Sequence, residues 1–181
     1  GLLKAVEGSV LWLSEPNDSA RRNLVAEAEK GGVAADRLVF APFLSNLDDH
    51  LARLTLADLF LDTLPCNAHT TASDALFMGV PVITTPGPTF AGRVAASLLS
   101  AVGMPELIAP SLSAYEACAL ELARDRAALR AVTAKLFANR AIRPLFDTAR
   151  FTRHLEAAFL AIRERQRRGL PSERFSVATA P

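Results

Sequence analysis

In 181 residues there are two cysteines, one tryptophan, one tyrosine and three histidines. Cys66 and Cys118 form no C-x-x-C pair and no zinc-ligand spacing, so they fit a reducing compartment better than a disulfide scaffold. No apolar run reaches the roughly 20 residues needed to span a bilayer, and the first residues do not read as a signal peptide. Lysine and arginine (20) almost balance aspartate and glutamate (19), so charge predicts no strong attraction to nucleic acid or to a membrane surface. There is no internal repeat, low-complexity stretch or inter-domain linker. The chain starts at Gly1 without methionine, in what reads as mid-helix, which predicts a piece of a longer protein.

Half the residues are hydrophobic, enough for one sizeable core and one domain over residues 1–169. Residues 170–181, polar and proline-bearing, predict a disordered tail. Apolar runs at 9–13, 37–40, 59–61 and 81–85, with a shorter one at 107–109, read as buried strands. Trp12 is expected in the core. Residues 15–18 read as a turn and helix entry, with Asp18 or Ser19 as cap. The helix that follows, to Lys30, turns Leu24, Val25 and Ala28 inward.

Further helices are expected over 47–55, from Thr70 to a stop at Gly79, over 89–102, from Ser113 with a break near Arg124 or Asp125, and over 148–168. The last carries Phe151, Leu155, Ala158, Phe159 and Ile162 on one stripe. Strands alternating with helices at this spacing predict an α/β fold with a doubly wound parallel sheet, whose ligands bind beyond the carboxyl ends of the strands.

The densest polar cluster at such an end is His69, Thr70 and Thr71, with Asp74 one turn into the helix. A helix start presents unpaired backbone N–H groups at the positive end of its dipole, which suits a phosphate or diphosphate. Asp74 is placed to accept from sugar hydroxyls. The same residues also suit an ordinary capped helix start, and the pattern alone leaves both open. His50 and Arg53 share one helix face, as ligand groups or as part of a solvated face with Asp48 and Asp49. Those adjacent carboxylates point different ways on a helix and have no third partner, so no metal site is read there. Asp62 and Thr89 are read as structural, and Arg93 as an anion contact or the partner of an acid. Cys66 and His69 have no third group to orient them as a nucleophile pair.

Cys66-Asn67-Ala68-His69-Thr70-Thr71-Ala72-Ser73-Asp74, Gly79-Val80-Pro81-Val82, and Pro86-Gly87-Pro88-Thr89-Phe90-Ala91 with Arg93-Val94-Ala95 resemble the O-linked N-acetylglucosamine transferase (SPINDLY-like) family. The resemblance runs from Ser9 through Asp147 to about Gly169. It implies a Rossmann-like domain over 1–169, the C-terminal half of a GT-B glycosyltransferase, binding a uridine diphosphate sugar. His69, Thr70 and Thr71 would contact the diphosphate, Asp74 the ribose, and His50 and Arg53 the uracil. Where the family carries a lysine reaching the ribose, this chain has Ser45-Asn46-Leu47.

The family's catalytic histidine belongs to the first half, a diphosphate-binding lysine lies just upstream, and tetratricopeptide repeats come earlier still. The implied activity is inverting, metal-independent transfer of N-acetylglucosamine, or a related sugar, from its uridine diphosphate form to serine or threonine of a protein. No cofactor beyond that donor is implied, no catalytic base lies in this fragment, and the isolated half is expected to be inactive. The implied partners are the sugar nucleotide, an acceptor protein and the N-terminal half, in the cytoplasm. The alternative is a non-catalytic docking or regulatory module with a vestigial nucleotide pocket. A GT-B epimerase is a weaker reading, because the paired carboxylates expected along its cleft are missing.

Overall fold

The computed structural model describes residues 1–15 and 17–177. The turn expected at 15–18 and the tail expected at 170–181 therefore include residues (16 and 178–181) outside the described ones. In chain order the elements are α1 (Leu2–Ala5), β1 (Leu11–Ser14), α2 (Asp18–Lys30), β2 (Leu38–Ala41), α3 (Leu47–Leu54), β3 (Phe60–Leu61), α4 (Thr70–Phe77), β4 (Val82–Ile83), α5 (Val94–Ala101), α6 (Leu112–Arg124), α7 (Arg126–Arg140) and α8 (Thr148–Arg167). Strand and helix alternate, as the apolar spacing predicts.

All pairing is parallel among the described residues. β1 pairs with β2 with Leu11 opposite Leu38, and β3 pairs with β4 with Phe60 opposite Val82. These are two separate ladders rather than one continuous sheet. The strand expected at 107–109 is reduced to a parallel bridge between Thr84 and Ile108, because Pro105–Leu107 winds into a 3-10 turn first.

Caps decide where most helices begin. Asn17, Asn46, Ser111, Asp125 and Asp147 each accept a backbone N–H in the first turn of α2, α3, α6, α7 and α8. Asn17 thus takes the role expected of Asp18 or Ser19, and α6 starts one residue before the expected Ser113 because Ser111 Oγ accepts from Ala114 N–H at 3.2 Å. The break between α6 and α7 falls at Asp125, as expected. α4 and α5 have no side-chain cap. At the other end of α4, Gly79 takes φ +84°, and Val80 N–H reaches back to Ala75 O at 2.8 Å, a left-handed stop that only glycine makes without strain.

The core lies around α4, β4, α5, α6 and α7: Leu76, Val82, Ile83, Leu99, Val102, Met104, Leu107 and Leu136 are all shielded from water. Two expectations of burial fail. Leu24 is exposed, with only Val25 and Ala28 of the inward set partly covered. Trp12 is half-buried, at the margin rather than in the core. The apolar stripe of α8 faces water at Phe151, Leu155, Phe159 and Ile162, since no described element lies over it.

Candidate functional site

β3 delivers the chain to Asp62, which is almost fully buried. Its Oδ1 accepts from Ala68 N–H and its Oδ2 from the Thr84 hydroxyl, both at 2.6 Å. Its backbone carbonyl accepts from Tyr115 O–H at 2.9 Å. Asn67, also buried, donates from Nδ2 to Thr63 O at 3.0 Å and from its backbone to Ala91 O at 2.9 Å. The turn from Asp62 to His69 is therefore held on several sides before the helix starts.

α4 then opens with His69 as N-cap and Thr70 as its first helical residue. The threonines are thus not the cap. They ride on the first turn, where among the described residues their hydroxyls make no hydrogen bond, and His69 makes no capping bond with its side chain. His69, Thr70 and Thr71 are exposed, and Asp74 is half-buried one turn on. Among the described residues the Asp74 carboxylate makes no hydrogen bond. The result is an uncapped helix end at the surface, flanked by an imidazole, two hydroxyls and a carboxylate, with the positive dipole outward.

Residues 86–93 border it. The helix expected over 89–102 starts only at Val94, because the preceding residues close on themselves. Gly87 N–H donates to Gly92 O at 2.6 Å, and Gly92 N–H to Thr89 Oγ1 at 3.1 Å. Thr89 caps this turn rather than a helix. Among the described residues Arg93 pairs with no acid, and its Nε donates to Gly87 O at 3.1 Å. Phe90 stands edge-on to the His69 ring at 6.1 Å between centroids.

α3 packs beside α4 and carries the second group. Arg53 donates from Nη2 to His50 Nδ1 at 3.0 Å and from Nη1 to Pro42 O at 2.5 Å. Among the described residues no hydrogen bond joins this pair to His69, Thr70, Thr71 or Asp74. Asn46 spends its side chain on capping α3, through Asp48 N–H at 2.8 Å and Asp49 N–H at 3.1 Å. An asparagine directly before an acidic first turn is a cap signal that the sequence reading passed over.

Two concavities lie elsewhere. One, of about 280 Å³, is lined by Arg140, Arg143 and Asp147, and another, of about 560 Å³, by Lys4, Glu7 and Arg37. Arg37 is already committed to the carbonyls of Leu3, Val6 and Ser9. The chemistry points to the α4 start and the depth does not. Chemistry is the better guide here, because an open edge becomes a cleft only when something faces it.

Burial first, then the Glu121 carboxylate, pushes the Cys118 thiol up, which keeps it a poor nucleophile. Among the described residues no three histidine, cysteine or acidic side chains cluster as a metal would need. Among them, too, no helix is long and apolar enough to cross a membrane.

Comparison with known proteins agrees with the fold. Residues 1–155 match the model of glycosyl transferase family 41. The chain is 40% identical over 159 residues to the probable UDP-N-acetylglucosamine–peptide N-acetylglucosaminyltransferase SEC of Arabidopsis thaliana, covering 87% of this chain and 16% of that protein. It is 33% identical over 170 residues to the UDP-N-acetylglucosamine–peptide N-acetylglucosaminyltransferase of Caenorhabditis elegans, covering 94% and 15%. A solved O-GlcNAc transferase variant of Thermobaculum terrenum superimposes with a TM-score of 0.74 at 34% identity, over 81% of this chain and 28% of that one. The chain thus spans about one-sixth of the length of the curated relatives it matches. Its architecture is the α/β, Rossmann-like half of a GT-B glycosyltransferase. The chain belongs to glycosyl transferase family 41.

Proposed function

We propose that this chain is the donor-binding C-terminal half of a protein O-glycosyltransferase. It would take N-acetylglucosamine, or a related sugar, from its uridine diphosphate form, and an N-terminal half of the same polypeptide would pass the sugar to serine or threonine of an acceptor protein. The reaction would be inverting and metal-independent, in the cytoplasm. The observation that supports this is the bare, exposed start of α4 with His69, Thr70, Thr71 and Asp74 around it.

When the bond from sugar to diphosphate breaks, negative charge grows on the leaving oxygen. Backbone N–H groups, the two threonine hydroxyls and an imidazole aimed at that oxygen stabilise the charge without reorganising. His50 and Arg53 on α3 would receive the base, the arginine by stacking and by its fork of donors. Asp74 would accept from the ribose. The domain for this role is residues 1–169. A half that supplies donor binding but no base transfers no sugar alone.

Calorimetric titration of uridine diphosphate into the wild type and a Thr70→Ala/Thr71→Ala variant tests the site. Loss of affinity in the variant is expected, and equal affinity would remove the site. Asn46, committed to capping where relatives are expected to offer a lysine, favours a second reading: a docking module with a vestigial pocket. At a hundred-fold ligand excess over the dissociation constant, binding stabilises by about 2.7 kcal/mol. An unchanged melting temperature in millimolar uridine diphosphate would therefore favour the module.

A further inference from the structure

We infer that Asp62 is a positioning residue for the diphosphate site, setting the attitude of the α4 amides without touching ligand. This rests on the reading of the α4 start as a diphosphate site. Asp62 sits at the end of β3 and uses four polar atoms on three separate segments of the chain. Its N–H donates to Ile83 O at 3.1 Å and its carbonyl accepts from Tyr115 on α6. Its carboxylate takes the hydroxyl of the buried Thr84, next to β4, and the amide of Ala68, two residues ahead of the first residue of α4.

The Ala68 bond is the one that matters for the site. Both carboxylate oxygens are occupied by partners below the site, so Asp62 does not compete for the free amides of the first turn. By fixing the Asn67–Ala68 peptide it restrains the chain one residue before His69, and so the direction in which those amides point. A displacement of an ångström there is felt strongly, because oriented dipoles stabilise charge only along their own axis. Asp62 thus transmits the rigidity of β4 and α6 to a helix end that no side chain caps.

The test compares uridine diphosphate with uridine, which carries no phosphate, on the full polypeptide that contains this chain. Asp62→Ala is expected to weaken uridine diphosphate at least tenfold and leave uridine within twofold. Asp62→Asn, whose amide oxygen can still accept from Ala68 N–H, is expected to stay within threefold of the wild type for both. Thr84→Val, which frees one carboxylate oxygen and keeps the shape, is expected to show the Asp62→Ala pattern in weaker form. It also keeps the inference testable if the alanine variant fails to fold. Equal weakening of both ligands, or unchanged uridine diphosphate affinity in Asp62→Ala and Thr84→Val, would overturn the inference and leave the diphosphate site standing. A wild type that bound uridine as well as uridine diphosphate would overturn both.

Discussion

Arg53 donates to His50 one turn back on α3, Nη2 to Nδ1 at 3.0 Å. Arginine carries no acceptor, so His50 must offer its Nδ1 lone pair and keep its proton on Nε2. The same planar head spans to Pro42 O, joining α3 to the loop before it. A lysine ammonium cannot reproduce that fork. Arg53→Lys is therefore expected to weaken uridine diphosphate binding about as much as Arg53→Ala, roughly tenfold for one lost charge-assisted contact. Titration of both variants checks this, and full affinity in the lysine variant would refute it.

Asn139, buried on α7, donates from Nδ2 to Gly103 O at 2.9 Å and so ties α7 to the turn after α5. Asn139→Ala leaves that carbonyl without its partner and is expected to cost about 1–3 kcal/mol in urea denaturation.

Gly79 closes α4 at φ +84°, and a Cβ there would run into the ring of Phe137. Gly79→Ala is expected to lose about 1–2 kcal/mol from the backbone alone. Phe137 is on the surface and can swing aside. Adding Phe137→Ala should then recover little of the loss. Full recovery in denaturation curves would show that the clash, not the backbone, was the cause.

Burial, and then the Asp62 charge, pushes the Tyr115 phenol up to about 12 from its ordinary 10.0. Between those values the unfolded chain releases a proton that the folded chain keeps, so stability falls as pH rises. The contribution is whole below about pH 10 and is lost on passing about 12. Tyr115→Phe is expected to flatten this alkaline limb of a stability–pH curve and leave the acid limb unchanged.

The order of elements and the α4 junction were legible because they are written locally. Short apolar runs between turns mark the strands, and Thr70 stands at a helix entry. What was not legible is what distant residues decide. Asp62 is held by Thr84 and Tyr115, 22 and 53 residues further on, and no spacing announces that. The late start of α5 depends on the backbones of Gly87 and Gly92 closing against each other, where a helical pattern alone runs straight through. The stripe on α8 was read correctly as apolar. What lies against it was not legible, because periodicity reports which face is oily and not what covers it.

That stripe makes concentration a variable in every measurement on this chain. Phe151, Phe159, Leu160 and Ile162 lie open along one helix, and contiguous oil in water seeks more oil. Sedimentation should quicken as the sample is loaded more heavily, and the trend should sharpen on moderate warming, since apolar association weakens in the cold. Binding curves taken dilute and cold will report the single molecule, and those taken at millimolar protein will report its clusters.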